Sequence, residues 1–132
     1  MTNAPAAATA PAATFLTPAQ AVEESGFSLD TLRYYEKIGL LGNVQRSVSG
    51  HRRFSSEDLA WLGVLRCLRD TGMPISEMLH FAELVRSGDG TFGARLALLA
   101  AHDDQVEVQI ATLRERQQVI RHKIAYYRDA LA

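Results

Sequence analysis

The feature that most limits what this chain can fold into lies in its last third. From residue 91 onward, Leu96, Leu99, Asp103, Val106, Ile110, Leu113, Gln117, Ile120, Ile124, Tyr127 and Leu131 follow one another in steps of three or four, and Asp103 and Gln117 are the polar interruptions. Such spacing is a heptad repeat, which keeps one apolar stripe on a single face of a helix. About forty residues of helix extend roughly 60 Å, well beyond what a small domain can cover. The stripe therefore requires a second helix, and the expectation is a homodimer joined through Leu96, Leu99, Val106, Ile110, Leu113, Ile120, Ile124 and Tyr127. The structural alternative is one helix folding back on its own domain. Heptads alone leave the strand direction open.

What lies upstream can hold one core and little more. The chain has 132 residues, 47% of them hydrophobic, enough for one compact domain plus an extension. Its formal net charge of -1 gives no overall sign of a nucleic-acid partner. The distribution is more telling. Between Phe27 and Phe54, Arg33, Lys37, Arg46, Arg52 and Arg53 stand against Asp30 and Glu36, an excess of three positive charges, with His51 besides. That segment is a candidate phosphate-facing patch. The single cysteine, Cys67, has no internal disulfide partner, and without a secretion signal it fits a reducing, cytoplasmic interior. The opening "MTNAPAAATAPAAT" has neither a basic start nor a strongly apolar run, so residues 1–14 are expected as a disordered Ala/Pro tail. No later stretch approaches the roughly 20 apolar residues that a membrane span needs.

Helix punctuation becomes clear from Thr17. It is placed to cap a helix with Pro18 at the first position, and "PAQAVEES" runs to Gly26, a good stop. Ser28 restarts the chain as the cap of a second helix, with Asp30 in its first turn and Gly39 at its end. Two helices joined by a short glycine-containing turn form the helix-turn-helix pattern, whose second helix enters a DNA major groove. Next, "NVQRSVSGHRRFS" sets β-branched residues ahead of Ser49-Gly50, as a hairpin does, with three arginines and a histidine on two short strands. A basic hairpin beside a helix-turn-helix is a wing able to grip the phosphate backbone. An ordinary helix pair and a solvated charged loop are the bland alternatives.

Taken together, "TLRYYEKIGLL", then Arg46, three residues, Gly50 and "HRRF" resemble the DNA-binding domain of the MerR family of transcriptional regulators. The resemblance extends over nearly all of the chain from about Phe15. It implies a mainly α fold: a winged helix-turn-helix DNA-binding domain with a two-helix connector over 15–87, and a long C-terminal dimerisation helix over 91–132 forming an antiparallel coiled coil. The sequence departs from the family pattern at Gly42-Asn43, where a proline is frequent, and at His51 and Phe54, where the wing often carries tyrosine. The resemblance also implies a mechanism. Such dimers bind a two-fold symmetric promoter site between elements spaced too far apart, and the activated dimer bends and untwists the DNA so that RNA polymerase engages both. An effector then has only to favour one of two states of the protein-DNA complex.

For individual residues, Thr31, Arg33 and Tyr34 are expected to face groove and backbone, and Lys37, Arg46, His51, Arg52 and Arg53 to neutralise phosphates. Leu32, Ile38, Leu40 and Leu41 hold the second helix to the core. Tyr35 is divided between DNA and core, because neighbours in a helix do not share a face.

Two connector helices follow. Ser55 with Asp58 makes an acidic variant of a capping box, and Gly72 with Pro74 ends the run "SEDLAWLGVLRCLRDTG". Its Leu59, Trp61, Leu62, Val64, Leu65, Cys67 and Leu68 read as core, with Trp61 an anchor. In "PISEMLHFAELVRSG" the apolar line is Ile75, Met78, Leu79, Ala82 and Val85.

Cys67 is the candidate trigger. Its placement is similar to the aldehyde- and thiol-stress branch of the family, the NmlR/AdhR-like regulators. A thiol there adds to an aldehyde or is oxidised, and Arg66 or Arg69 would favour the thiolate. The competing role is inert packing on an apolar helix. No metal site is expected: the long helix opens "TFGARLALL" without cysteine, and His102, Asp103 and Asp104 read as solvated. No cofactor is expected, and no phosphate loop, zinc-protease pair or nucleophile elbow marks an enzyme. A coiled-coil adaptor without sequence-specific DNA binding is the remaining alternative.

Overall fold

The computed structural model describes residues 15–42 and 44–132. The tail expected over 1–14 lies outside them. The chain divides into two compact units, one ending at Arg86 and the other spanning Ser87–Ala132.

The first unit opens with helix α1, Pro18–Ser25. Thr17 and Gln20 form a reciprocal capping box: the Gln20 amide donates to Thr17 Oγ1 at 3.2 Å and the Thr17 amide to Gln20 Oε1 at 2.9 Å. Helix α2, Leu29–Ile38, begins on Ser28, whose Oγ accepts from the Thr31 amide at 3.1 Å. Between the two helices Gly26 has φ 78, the left-handed region. A Cβ at this position would lie 1.8 Å from Arg66 Nη1, so glycine is needed here for both backbone and space. The room is filled by the Arg66 guanidinium, which donates to Ser25 O at 3.2 Å and to Asp70 Oδ2 at 2.8 Å. Arg66, backed by Arg69, holds the Asp70 carboxyl below its ordinary pKa.

A two-stranded antiparallel hairpin follows, β1 (Gln45–Arg46) with β2 (Arg52–Arg53), in the register Gln45 to Arg53 and Arg46 to Arg52. Its far end joins the start of the unit, as Leu16 and Phe54 exchange backbone hydrogen bonds of 2.8 and 2.9 Å. Phe54 is fully buried.

Helix α3, Ser56–Asp70, starts from the expected box: the Asp58 amide donates to Ser55 Oγ at 3.0 Å and the Ser55 amide to Asp58 Oδ2 at 2.9 Å. Its buried line is Leu62, Leu65 and Leu68. Cys67 is exposed. At 100° per residue it stands roughly 160° around the helix from Leu65, so the expectation that it is core does not hold. Trp61 serves as the anchor foreseen for it, donating Nε1–H to Leu40 O at 2.9 Å and stacking on Phe81 with ring centroids 5.7 Å apart. In helix α4, Ile75–Arg86, the buried residues are Met78, Phe81 and Ala82. Ile75, at the open first turn, is exposed, and Phe81 takes the inward place because Trp61 supplies a flat partner. The core gathers Phe27, Leu32, Tyr35, Leu40, Leu41, Phe54, Leu62, Leu65 and Met78, each large side chain contributing about 1.5–3 kcal/mol by leaving water. Arg86 donates Nη2–H to Gly39 O, an orphan carbonyl at the end of α2.

The second unit is one helix and its start. A 3-10 turn, Asp89–Thr91, leads into α5, Phe92–Leu131. Gly88 O accepts from Thr91 Oγ1 at 2.8 Å and from Arg95 Nη2 at 2.8 Å, which fixes the first turn. Among the described residues, none of α5 is buried within the chain, and no helix is long and apolar enough to cross a membrane.

Two glycines in this fold respond oppositely to a methyl group. Gly26→Ala meets both the positive φ and the Arg66 side chain, and costs about 1–2 kcal/mol. Gly63 lies inside α3 with open space around it, so Gly63→Ala raises stability by about 0.5–1 kcal/mol. Urea unfolding of both variants at neutral pH measures the two signs.

Candidate nucleic-acid interface

Helix α2 has two faces of different chemistry. Leu32 and Tyr35 are buried, with Tyr35 edge-on to Phe27 at 5.3 Å between ring centroids. The inward place of Tyr35 settles the question its sequence leaves open. On the other side, Asp30, Arg33, Tyr34 and Lys37 are exposed, and their i, i+3, i+4, i+7 spacing puts them in one stripe. Asp30 Oδ1 lies 3.6 Å from Arg33 Nη1. Thr31 is half-buried at the edge of this stripe, its Oγ1 accepting from Ser28 Oγ at 2.9 Å as part of the cap.

The wing is fastened to α2 through Glu36. Its Oε1 accepts from Arg52 Nε at 2.7 Å and its Oε2 from the Val44 amide at 3.4 Å. Both side chains of the ion pair are largely covered, at 22% and 17% exposure. Arg52 is thus turned toward the helix, with Glu36 as its ion-pair partner. In the sequence Glu36 counts only as one of two acids in a basic segment. The available signal is an acid inside a basic patch, nine residues ahead of the wing's first strand, but spacing alone does not reveal which arginine it meets.

The remaining wing cations point elsewhere. Arg46 is exposed and donates to Gly50 O at 3.3 Å. Arg53 lies over the Phe15 ring at 4.0 Å from its centroid. The loop between the strands is closed by Ser47 N–H to His51 O at 2.7 Å and Gly50 N–H to Ser47 O at 2.9 Å, with Gly50 at φ 90. Ser49 Oγ meets His51 Nδ1 at 3.1 Å. Among the described residues, no carboxylate forms an ion pair with Lys37, Arg46 or Arg53. The arrangement is a helix with a polar outer stripe, fixed to a basic hairpin, as a groove reader with a phosphate grip requires.

The other candidate residues lie away from this surface in sequence and role. Cys67 is exposed on α3. Leu96, Leu99, Ile110, Leu113, Ile120, Ile124 and Tyr127 are exposed along α5, and Val106 is half-buried. No three His, Cys, Asp or Glu side chains converge as a metal site would among the described residues.

Comparison with known proteins gives this architecture its class. Residues 16–81 match the model of the MerR HTH family regulatory protein, and residues 59–123 match that of MerR, DNA binding. The chain belongs to the MerR family of helix-turn-helix transcriptional regulators. It is 43% identical over 116 residues to an uncharacterized HTH-type transcriptional regulator of Haemophilus influenzae, covering 88% of this chain and 86% of that one. It is 38% identical over 82 residues to the HTH-type transcriptional regulator AdhR of Bacillus subtilis, covering 62% and 59%. Among solved structures, HiNmlR, a MerR family regulator lacking the sensor domain and bound to promoter DNA, superposes with a TM-score of 0.79 at 42% identity, covering 89% of this chain and 93% of that chain.

The two ion pairs on α2 differ in what they hold. A double-mutant cycle on folding stability with Glu36→Gln and Arg52→Ala gives a coupling of about 1 kcal/mol, as a covered, charge-assisted pair should. The same cycle on Asp30 and Arg33 gives no measurable coupling, since water surrounds that pair.

Proposed function

We propose that this regulator binds a two-fold symmetric promoter site as a homodimer, sets α2 in the major groove and the wing on the backbone, and controls transcription by distorting the DNA for RNA polymerase. The observation that carries the reading is the exposed Arg33, Tyr34 and Lys37 stripe fixed beside a wing whose Arg46 and Arg53 have no carboxylate partner among the described residues. The description of HiNmlR as bound to promoter DNA supports it. With a net charge of only -1 overall, attraction to DNA has to come from this local patch. Arg52 then acts through the wing's position, and Thr31 through the start of α2.

Dimerisation is supported by the uncovered seam on α5. Leu113 is 69% exposed and Leu96 70%, and a stripe of such residues along 40 residues of helix is costly to leave in water. A homodimer working in the reducing cytoplasm also fits a chain whose one thiol is free.

For the trigger, the exposed Cys67 supports a thiol-reactive signal such as an aldehyde. Its thiolate sulfur adds to the carbonyl carbon, the C=O π bond opens, and the oxygen takes a proton from water to give a hemithioacetal. In the two-state scheme, that adduct favours the distorted complex.

Binding to the protein's own promoter tests the first claim. Lys37→Ala and Arg53→Ala each weaken binding across all sequences and lower the slope of log K against log salt by about 1. Wild-type affinity in both variants, with dimerisation intact, would favour the adaptor reading. Leu113→Asp turns the protein monomeric in sedimentation and abolishes promoter binding. In transcription in vitro, formaldehyde or a longer aldehyde activates the wild type and leaves Cys67→Ser unresponsive; an equal response would remove the thiol from the mechanism.

A further inference from the structure

The outer stripe of α2 contains an acid where a DNA-facing surface would be expected to carry none. Asp30 and Lys37 stand at the middle of that stripe, with Arg33 and Tyr34 on either side, opposite the buried Leu32 and Tyr35. The Asp30 side chain is 95% exposed. It lies in the first turn, and the N-terminal residues of a groove helix are those that reach base edges. A carboxylate in this place repels phosphates, and it repels guanine and thymine edges too, which offer acceptors to the major groove. Cytosine offers an N4 amino donor, to which an aspartate accepts well. Arg33, with Nη1 3.6 Å from Asp30 Oδ1, lies beside it and carries the donor fork that matches guanine O6 and N7.

We propose that Asp30 is a specificity-determining residue: it accepts from the N4 amino group of a cytosine in each half-site, while Arg33, one turn further along the same stripe, donates to a neighbouring guanine. The inference rests on the reading of α2 as the groove helix. Asp30 thus lowers affinity for DNA in general and selects one base in particular. Its favourable place near the positive end of the helix dipole adds stability, but that role is blind to base sequence.

The test is equilibrium competition by the full chain against promoter duplexes varied one base pair at a time. For Asp30→Asn, the penalty for replacing one symmetrically placed cytosine falls roughly tenfold, and affinity for unrelated DNA rises. Arg33→Ala relaxes the preference for the adjacent guanine, and Lys37→Ala weakens all sites alike. An unchanged base profile in Asp30→Asn, with Arg33→Ala and Lys37→Ala still weakened, overturns the role of Asp30 and leaves the groove reading standing. A lowered melting temperature with an unchanged profile overturns it equally, since it marks a purely structural acid. Wild-type binding in all three variants removes both.

Discussion

A hairpin of two-residue strands has no stability of its own in water, and the surface formed by the wing and α2 depends on how that weakness is met. The wing is held at three points by groups outside it. Phe54 is driven into the core, the Leu16 backbone closes a bridge along its far edge, and Glu36 grips Arg52 and the Val44 amide from α2. Each point belongs to a different part of the unit. The wing consequently takes its position from the packing of the core and from the helix that it flanks.

Short helices in the same unit show a related economy. Helix α2 has 10 residues, below the length at which an isolated helix persists. Ser28 at one end and Gly39 with Arg86 at the other satisfy orphan groups of its backbone, and Leu32 and Tyr35 bind it to the core. This leaves its outer stripe with little structural duty beyond solubility and the dipole contribution of Asp30. Asp30, Arg33, Tyr34 and Lys37 are open to selection by a partner for that reason.

Much of this is legible in the sequence, because the signals are local. The caps at Thr17, Ser28 and Ser55, the stops at Gly26 and Gly39, and the heptads of α5 each depend on residues within a few positions. What is not legible depends on partners far along the chain. Arg52 looks like any wing arginine, and only the fold brings Glu36 to it across sixteen positions. Phe81 stands off the apolar line of its own helix, since its burial follows from Trp61 on another. Cys67 reads as apolar by composition, but the buried line of α3 passes through Leu62, Leu65 and Leu68 on the opposite side. A helix that is apolar in most positions hides its phase, and the phase decides which residue meets water.

That phase has a further effect on time scale. The sulfur of Cys67 stands outside the packed interior of its unit, while the residue's backbone carbonyl is held in place by Thr71, whose Oγ1 donates to it at 2.8 Å. A group can therefore come onto the sulfur and leave it again while every core contact stays closed. Were a group to attach there, its lifetime would be set by the strength of the new bond and by the supply of competing thiols. Such a lifetime would not depend on unfolding of the unit.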